Sequence, residues 1–425
     1  MHVAIIGNGV SGSTAAIYLR KTNPSLQITL ISDESPYFFA RTALMYVYMR
    51  QLSQQSLQVY PPDFWDKQAI SRLHDSVRTI DFSAKKIFFQ PTQAPLFYDK
   101  LLLATGATPR KINCDGNNLN NIFHFYSLQD LEKIEKSTQT PPQNAIIIGG
   151  GLIGIEVAEM LYQRNIPVTV LVREEAFWAN VLPPQTALLV QKYLQQKGIP
   201  FKNQTEVSAF LGDKEGKIRA LITQKGEEIS CDWACVCIGV RPNIDFLRNT
   251  PLHCDKGIVV NDFFQTNIPD VYAAGDCVQF FGTNKKTESL WYSAKLQGEL
   301  AADNIAAKAR KYAPPIWFNS AKFFDISYQT YGSVNAKLAP NEKEIYWQHA
   351  HKPLSIQLVY QENNRQFLGV NLIGIRGRQA VYEQFLREKQ TIDYVLKNLL
   401  LAHYDSEFSP QWEREMQSVY MQQNP

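Results

Sequence analysis

Residues 1–31 decide the fold of the N-terminal region, and they read MHVAIIGNGVSGSTAAIYLRKTNPSLQITLI. The apolar run His2–Ile6 leads directly into GNGVSG at residues 7–12. Ser13–Lys21 is rich in small residues and good helix formers, and a proline follows it, while Ile28–Ile31 is the next apolar run. This order predicts a strand, a glycine turn, a helix and a second, parallel strand.

The same pattern returns at residues 144–172, which read NAIIIGGGLIGIEVAEMLYQRNIPVTVLV. Asn144–Ile148 predicts a strand, Ile155–Gln163 a helix and Val168–Val172 the returning strand, with glycines between the first two. Two such units form an internal repeat within one chain.

Both glycine turns have the spacing GxGxxG, which suits a pyrophosphate. The first glycine makes the sharp turn, the second lets the backbone approach the phosphates, and the third lets the helix pack on the sheet. Free N–H groups and the positive dipole end of the helix face the anion. We therefore predict two dinucleotide sites, formed by Gly7, Gly9, Val10, Ser11 and Gly12, and by Gly149, Gly151, Leu152, Ile153 and Gly154.

The residues after each second strand bear on which nucleotide is bound. A carboxylate about 20 residues past the turn commonly holds a ribose hydroxyl, and Asp33 and Glu34 stand there in the first unit. In the second unit Val172 takes that place and Arg173 follows. Arg173 fits either a cofactor contact with adenine or a 2′-phosphate, or an ordinary surface charge, so the choice between NADH and NADPH stays open.

Three more apolar runs end in a glycine that suits the edge of a ligand site. Thr105-Gly106 follows the first, Gly239 the second and Gly275-Asp276 the third. These residues are candidate cofactor contacts through the family resemblance described below.

The region after Pro314-Pro315 has a different character. Lys322–Gln329 and Ser355–Tyr360 alternate like antiparallel strands, the latter predicted to form a hairpin with Phe367–Ile373. Helices are predicted around Arg378–Glu388 and over Ile392–Ala402. The predicted domains are 1–112 with 245–312, then 113–244, then a separate α+β domain at 313–425.

Composition excludes several classes of protein. The chain has 425 residues, 43 basic and 40 acidic, and its net charge of +3 argues against nucleic-acid binding. Six cysteines without paired CxxC spacing, and histidines without HExxH, predict neither a disulfide framework nor a metal site. No apolar run is long enough for a membrane helix. A reduced, cytoplasmic setting is therefore expected, and membrane contact is not expected.

The ordered motifs over residues 1–310 resemble those of the two-dinucleotide flavoprotein family, the pyridine nucleotide–disulfide oxidoreductases. The set is GxGxxG, an ATG strand end, a second GxGxxG, an IGxxPN-type segment and AxGD. The resemblance implies an α/β fold with two Rossmann-like three-layer domains and a C-terminal α+β interface domain. It also implies FAD in the first unit, NAD(P)H in the second, and Asp276 close to FAD.

The segment after Glu34 separates the branches of this family. Disulfide reductases carry CxxxxC on the next helix, but residues 37–49 contain no cysteine. Glu34 and Arg41 instead match the ExxxxxxRxxL segment of ferredoxin, rubredoxin and putidaredoxin reductases, of apoptosis-inducing-factor-like proteins and of the flavin domain of nitrite reductase. That match implies that Arg41 contacts FAD.

The chain departs from this branch beside the flavin. Many of these reductases have a serine and a lysine where this chain has Met45 and Tyr46, so the usual lysine partner of Glu156 is missing. The resemblance places Glu156 at the nicotinamide as the candidate catalytic residue, with a purely structural role as the alternative. Residues 288–292 resemble the segment whose helix faces the flavin, so Trp291 is a candidate cofactor contact or a core aromatic.

The resemblance implies an FAD-dependent NAD(P)H oxidoreductase that passes hydride from nicotinamide to flavin without a redox-active disulfide. The acceptor would be a small electron-carrier protein, a quinone or oxygen. Two alternatives are an NADH-responsive switch with slow turnover and a quinone reductase on a membrane surface, the latter supported only by the apolar face of Ile392–Ala402. Residues 313–425 are expected to serve packing, partner docking or a homodimer, and no His–Glu pair like a disulfide reductase's base is found there.

Overall fold

The computed structural model describes residues 1–90, 94–281, 289–405 and 407–423. The chain divides into two compact units. The first consists of Met1–Arg110, His124–Gln139 and Gly239–Pro314, and the second of Lys111–Phe123, Thr140–Ile238 and Pro315–Pro425.

The regular elements are named here in chain order. The helices are α1 Val10–Thr22, α2 Leu44–Tyr48, α3 Phe64–Lys67, α4 Leu128–Ser137, α5 Leu152–Gln163, α6 Pro184–Gln196, α7 Trp291–Ile305, α8 Gln379–Arg387, α9 Ile392–Lys397 and α10 Trp412–Gln423. Short 3-10 helices span Arg41–Ala43, Gln54–Leu57, Asp245–Leu247 and Leu399–Ala402.

The strands follow the same convention. They are β1 His2–Ile6, β2 Gln27–Ser32, β3 Ser71–His74, β4 Val77–Asp81, β5 Lys86–Phe89, β6 Leu96–Phe97, β7 Lys100–Leu103, β8 Ala107–Pro109, β9 Ile122–Phe123, β10 Ala145–Ile148, β11 Val168–Leu171, β12 Phe201–Lys202, β13 Val207–Gly212, β14 Ile218–Thr223, β15 Glu228–Ser230, β16 Trp233–Val236, β17 Val240–Pro242, β18 Ile258–Val260, β19 Val271–Ala273, β20 Val278–Phe280, β21 Phe318–Phe323, β22 Ile326–Gly332, β23 Glu342–Gln348, β24 Ser355–Gln361 and β25 Phe367–Ile373.

The first unit is built on a parallel sheet of five strands in the order β19-β7-β1-β2-β3. Its near-continuous apolar strands are buried, as expected for a parallel sheet covered on both faces. Helix α7 lies so close to α1 that a Cβ on Gly298 would come 2.4 Å from the Ser11 carbonyl oxygen. The antiparallel strands β4-β5-β6 supply Ile80 and Ile87 to the same core.

The second unit repeats the parallel arrangement with five strands in the order β12-β11-β10-β16-β9. An antiparallel sheet of three strands, β13-β14-β15, shares a core with it through Ile148 and Leu221. The two parallel sheets confirm the predicted α/β class with two Rossmann-like parts.

The C-terminal part of the second unit is the predicted α+β region. Its antiparallel sheet has the order β21-β22-β25-β24-β23, and β24 and β25 form the predicted hairpin. One face of this sheet forms a hydrophobic core with the following helices, which includes Tyr331, Leu358, Tyr382 and Met416. A sheet with helices packed on one face is a common α+β arrangement.

One predicted strand is wrong. Lys322–Gln329 is divided between β21 and β22, which pair antiparallel with Phe323 opposite Ile326. The turn between them contains Phe324 at φ +51°, a conformation that favours glycine or asparagine. Since the turn carries neither, the alternating pattern runs through it without a visible break.

The apolar face of Ile392–Ala402 is used inside its own domain. Ile392, Val395, Leu396 and Leu399 are buried in the C-terminal core. The sole support for a membrane-surface quinone reductase is therefore lost. Within the ranges given above, no helix combines the length and the hydropathy needed to cross a bilayer.

Candidate nucleotide-binding sites

The first glycine turn is closed too tightly for side chains at two positions. Gly7 follows β1 at φ +107°, and a Cβ there would lie 2.0 Å from the carbonyl oxygen of Ala104. A Cβ on Gly12 would lie 1.9 Å from the Gly7 oxygen. Glycine is thus required where the strand turns and where the helix crosses it.

The middle of the same turn is open. A Cβ on Gly9 would meet nothing within 4 Å, and α1 begins directly after it without a side-chain cap. The first helical bond runs from the Ser13 N–H to the Gly9 oxygen, so the earlier N–H groups of the helix have no helical acceptor. The buried Ser11 hydroxyl also lacks a partner among the described residues. Free donors around an open glycine fit a bound pyrophosphate.

The second turn reproduces this geometry. A Cβ on Gly149, at φ +122°, would lie 2.3 Å from the Cys237 oxygen, and one on Gly154 would lie 2.1 Å from the Gly149 oxygen. Gly151 has open space beyond it, α5 starts at Leu152, and the first helical bond is from Ile155 to Gly151. Leu152 and Ile153 therefore stand at the uncapped start of the helix, as Val10 and Ser11 do in the first unit.

The predicted acid Asp276 lies at the carboxyl end of β19. Gly275 before it has φ +88°, and its N–H donates to the Gln297 Oε1 at 2.8 Å. Burial raises the pKa of Asp276 to about 6, against the opposing charge of Arg41. None of the described residues donates a hydrogen bond to its carboxylate, so it is free to accept one from a ligand.

Two other strand-end residues of the first unit, Thr105 and Gly106, are hydrogen-bonded to Asn243. The Thr105 hydroxyl donates to the Asn243 oxygen at 2.8 Å, and the Gly106 oxygen accepts the Asn243 N–H at 3.0 Å. Gly239 has φ +95° with open space at its Cβ position. The IGxxPN segment therefore holds the ATG strand end in place, which the sequence did not reveal.

Glu34 and Arg41 form the core of a polar cluster in the first unit. The Arg41 Nη1 and Nη2 donate to the two Glu34 oxygens at 2.8 and 2.6 Å, a bidentate pair. Glu34 also accepts the Leu128 N–H at 3.0 Å, and Arg41 lies 4.4 Å from the ring centre of Tyr126. Asp33 is exposed, and its Oδ2 accepts a 3.2 Å hydrogen bond from the Ser76 hydroxyl.

In the second unit, Arg173 is exposed and pairs with Glu174 at 2.9 Å. Val172 is fully buried. A Cβ on Gly150 would lie only 2.7 Å from the Val172 Cγ2 atom. This strand end therefore presents an exposed arginine paired with Glu174, and an apolar valine where the first unit has an acid.

Glu156 lies on α5 one turn beyond the glycines and is half-buried. Burial raises its pKa to about 7, and the charge of Glu159 adds to this. A carboxyl group that titrates near neutral pH at a candidate cofactor site is typical of a functional position.

Trp291 is the first residue of α7 and is half-buried, with its ring centre 5.8 Å from that of Phe38. Tyr292 is half-exposed. Glu288, the first residue of the segment quoted for this helix, lies outside the described residues.

The cysteines show no disulfide in the structure. None of the six is bonded to another cysteine, and the Sγ atoms of Cys235 and Cys237 lie 3.6 Å apart on a buried strand end. Cys277 is buried and its thiol faces the Leu103 oxygen at 3.5 Å. The structure places no three His, Cys, Asp or Glu residues together as metal ligands within its described ranges.

The C-terminal region contains a His–Glu pair that the sequence analysis did not identify. His403 and Glu413 are both buried, with Nδ1 2.8 Å from Oε1 of the glutamate. The His403 Nε2 lies 2.8 Å from the Asp405 oxygen. The Glu413 carboxylate and the Asp405 carbonyl both accept hydrogen bonds, so the doubly protonated form of the ring would satisfy both partners. With both nitrogens occupied, this pair holds α10 in place and is not a free base.

The pair predicts a pH-dependent stability. Burial opposes the charge, but the hydrogen bond and charge of Glu413 raise the pKa of His403 above its usual value. The stabilisation should be complete below the unfolded-state pKa of about 6.5 and be lost as pH rises through the folded-state pKa. We expect His403→Ala to lower the free energy of unfolding by about 3 kcal/mol in acid and by less in alkali.

Urea unfolding of the wild type and His403→Ala across pH measures this effect. The control is His351→Ala, which removes an exposed histidine of the same domain. An equal loss at every pH would show that the imidazolium charge has no part in the stabilisation.

The comparisons with known proteins agree with this architecture. Residues 1–298 match the family model described as pyridine nucleotide-disulphide oxidoreductase. The chain belongs to this family. Its fold class, its FAD and NAD(P)H cofactors and its activity as an FAD-dependent NAD(P)H oxidoreductase follow from that membership.

Individual relatives lie in the branch that the Glu34–Arg41 match indicates. The chain is 28% identical over 329 residues to a rubredoxin-NAD(+) reductase of Pseudomonas putida, covering 76% of this chain and 84% of that protein. It is 31% identical over 315 residues to the ferredoxin–NAD(+) reductase component of a biphenyl dioxygenase system from Paraburkholderia xenovorans, covering 72% and 75%.

A solved structure resembles the whole chain. The NAD-dependent persulfide reductase from A. fulgidus has a TM-score of 0.85 at 24% identity, covering 100% of this chain and 83% of that one. At this identity the likeness concerns the fold, and it extends over the C-terminal α+β region.

Proposed function

We propose that the first glycine turn holds the FAD pyrophosphate and the second holds that of NAD(P)H. The observation that carries this is the pair of open glycines, Gly9 and Gly151, each before an uncapped helix start. The unpartnered Ser11 hydroxyl would bind a phosphate oxygen. Gly7, Gly12, Gly149 and Gly154 shape the turns, and the free N–H groups of Val10, Leu152 and Ile153 add donors.

The other site residues act on the parts of the cofactors beyond the pyrophosphate. We assign Asp276, Gly275, Thr105 and Gly106 to the strand-end edge of the FAD site, with Arg41 and Glu34 as the ion pair beside it. A bound flavin accepts hydride and releases electrons singly or in pairs, so it supplies the redox chemistry. The uncapped start of α7 at Trp291 would favour negative charge on a ring placed there.

We also propose roles for three residues near the sugar and adenine parts of the cofactors. Arg173 would contact the adenosine part of NAD(P)H, Gly239 would border it, and Asp33 would hold the FAD ribose.

We propose domains at 1–112 with 245–312, at 113–244 and at 313–425, the last supported by its separate core. A cytoplasmic setting and a possible homodimer through the last domain are part of the same proposal.

We propose a small electron-carrier protein as the acceptor. Residues 37–49 hold no cysteine, so a reactive disulfide relay on that helix is impossible. The matched rubredoxin and ferredoxin reductases are named for such carriers. Candidate carriers are iron–sulfur or rubredoxin-type proteins, with a quinone or oxygen as outcomes of the test.

The test is anaerobic reduction of the purified yellow protein by NADH and by NADPH, followed by reoxidation with a panel of acceptors. Rapid bleaching and fast reoxidation by a small ferredoxin or rubredoxin support the proposal. Reoxidation by oxygen or a quinone alone contradicts the proposed acceptor.

Two observations favour the alternative function, an NADH-responsive switch. Met45 and Tyr46 replace the polar pair of related reductases, and Glu156 has a raised pKa of about 7. Slow reduction to a long-lived complex, without turnover on any acceptor, would favour an NADH-responsive switch that binds partners.

A further inference from the structure

Two acidic side chains lie one helical turn apart on α5. Glu156 and Glu159 are three positions apart in the chain, so they are neighbours on one face of the helix. Glu159 is buried and Glu156 half-buried. Like charges at this spacing repel each other, and burial strengthens the repulsion.

Glu159 has partners that favour the charged form of its carboxylate, although burial outweighs them and leaves its pKa above the ordinary value. Its Oε2 accepts the Phe324 N–H at 2.7 Å, from the turn between β21 and β22. Burial raises the pKa of Glu159, while the Phe324 N–H and the charge of Lys322 lower it and Asp325 raises it slightly. Asp325 is itself held by Tyr193 and by Lys197, whose Nζ lies 3.3 Å away.

Glu156 lacks such partners. Across the described part of the chain, no group donates a hydrogen bond to its carboxylate, and the charged group that acts on it is Glu159. Of the two acids, Glu159 therefore ionises first, and its charge then opposes ionisation of Glu156.

We propose that Glu159 is a positioning residue whose fixed negative charge keeps a proton on Glu156 until an oxidised, cationic nicotinamide is bound. The inference rests on the proposed nucleotide site and on the family resemblance that places Glu156 at the nicotinamide. On NAD⁺ binding, the O–H bond of Glu156 breaks, the proton passes to solvent, and the carboxylate faces the pyridinium charge. No electron moves in this step, so charge and atoms balance. NADH, whose ring is neutral, leaves the proton in place.

The experiment measures NAD⁺ and NADH dissociation constants on the oxidised holoprotein from pH 5 to 9. In the wild type, NAD⁺ affinity should rise about tenfold with pH, with a midpoint near pH 7, while NADH affinity stays level. Glu159→Gln keeps an oxygen for the Phe324 N–H and should move the midpoint about one pH unit lower. Glu156→Gln should abolish the pH dependence. Glu175→Gln, an exposed acid on the same unit, is the matched control.

A second variant guards against misfolding of Glu159→Gln. Lys322 is exposed, so Lys322→Gln should fold normally, and it removes a cation that offsets Glu159. Its midpoint should rise by a few tenths of a pH unit. A midpoint that stays in place in both variants, or NAD⁺ binding without pH dependence in the wild type, overturns the inference. A wild type that binds neither nucleotide overturns the proposed function itself.

Discussion

Gly9→Ala is expected to produce a folded chain that does not retain FAD. Gly9 lies in extended backbone at φ −68°, ψ −169°, which any residue can adopt, and nothing lies within 4 Å of its Cβ position. The stability of the apoprotein should therefore change by less than about 1 kcal/mol. The added methyl group stands where the pyrophosphate approaches the backbone, so FAD affinity should fall by at least about 100-fold, about 3 kcal/mol.

The measurement is the flavin content of the purified variant, followed by FAD titration of the apoprotein and its thermal unfolding. Gly12→Ala is the informative contrast, because a Cβ there collides with the Gly7 oxygen at 1.9 Å and should damage the fold itself. Gly9→Ala protein with normal flavin content and a normal FAD dissociation constant would show that the first turn is not the pyrophosphate site.

The local parts of this fold are predictable from sequence because each is encoded in a short stretch. β1 is observed at His2–Ile6 as predicted, and α1 begins at Val10 rather than Ser13 because the last turn residues already adopt helical geometry. The glycine spacing also predicts where the backbone turns tightly. In both units the backbone collisions that require glycine occur at the first and third glycines of the motif.

The parts that sequence reasoning missed depend on partners far apart in the chain. The sequence marks Glu34 and Arg41 as one motif but does not reveal that the Glu34 carboxylate also accepts the N–H of Leu128, 94 residues away. His403 and Glu413 were not connected because no regular spacing marks them. Strand β23 and helix α10 were not predicted, although α10 places Trp412, Met416 and Val419 at helical spacing against the C-terminal core.

Glu156 shows the same limit at the level of chemistry. Its position in the second unit follows from the glycine motif, but its titration near neutral pH depends on burial and on Glu159. Glu159 in turn depends on a turn at Phe324 that sequence reasoning placed inside a strand. A residue type can thus be located by its motif, whereas its protonation state is set by the tertiary structure.

Gly151→Ala is expected to separate the two nucleotide sites. Gly151 has φ −105°, ψ −172° and open space at its Cβ position, like Gly9, so the substitution should leave the fold and the FAD content intact. The methyl group should hinder the NAD(P)H pyrophosphate and raise its dissociation constant by at least about 100-fold. The protein should be yellow, and dithionite should bleach it normally.

Anaerobic titration with NADH and NADPH measures the affinity, and the rate of bleaching at saturating nucleotide measures what remains of the reaction. Gly9→Ala reconstituted with excess FAD is the reciprocal control, since its second turn is unchanged. If Gly151→Ala lost FAD as well, or bound NAD(P)H with wild-type affinity, the assignment of one nucleotide to each turn would be wrong. The two variants together therefore decide which turn serves which cofactor, independently of any resemblance to other proteins.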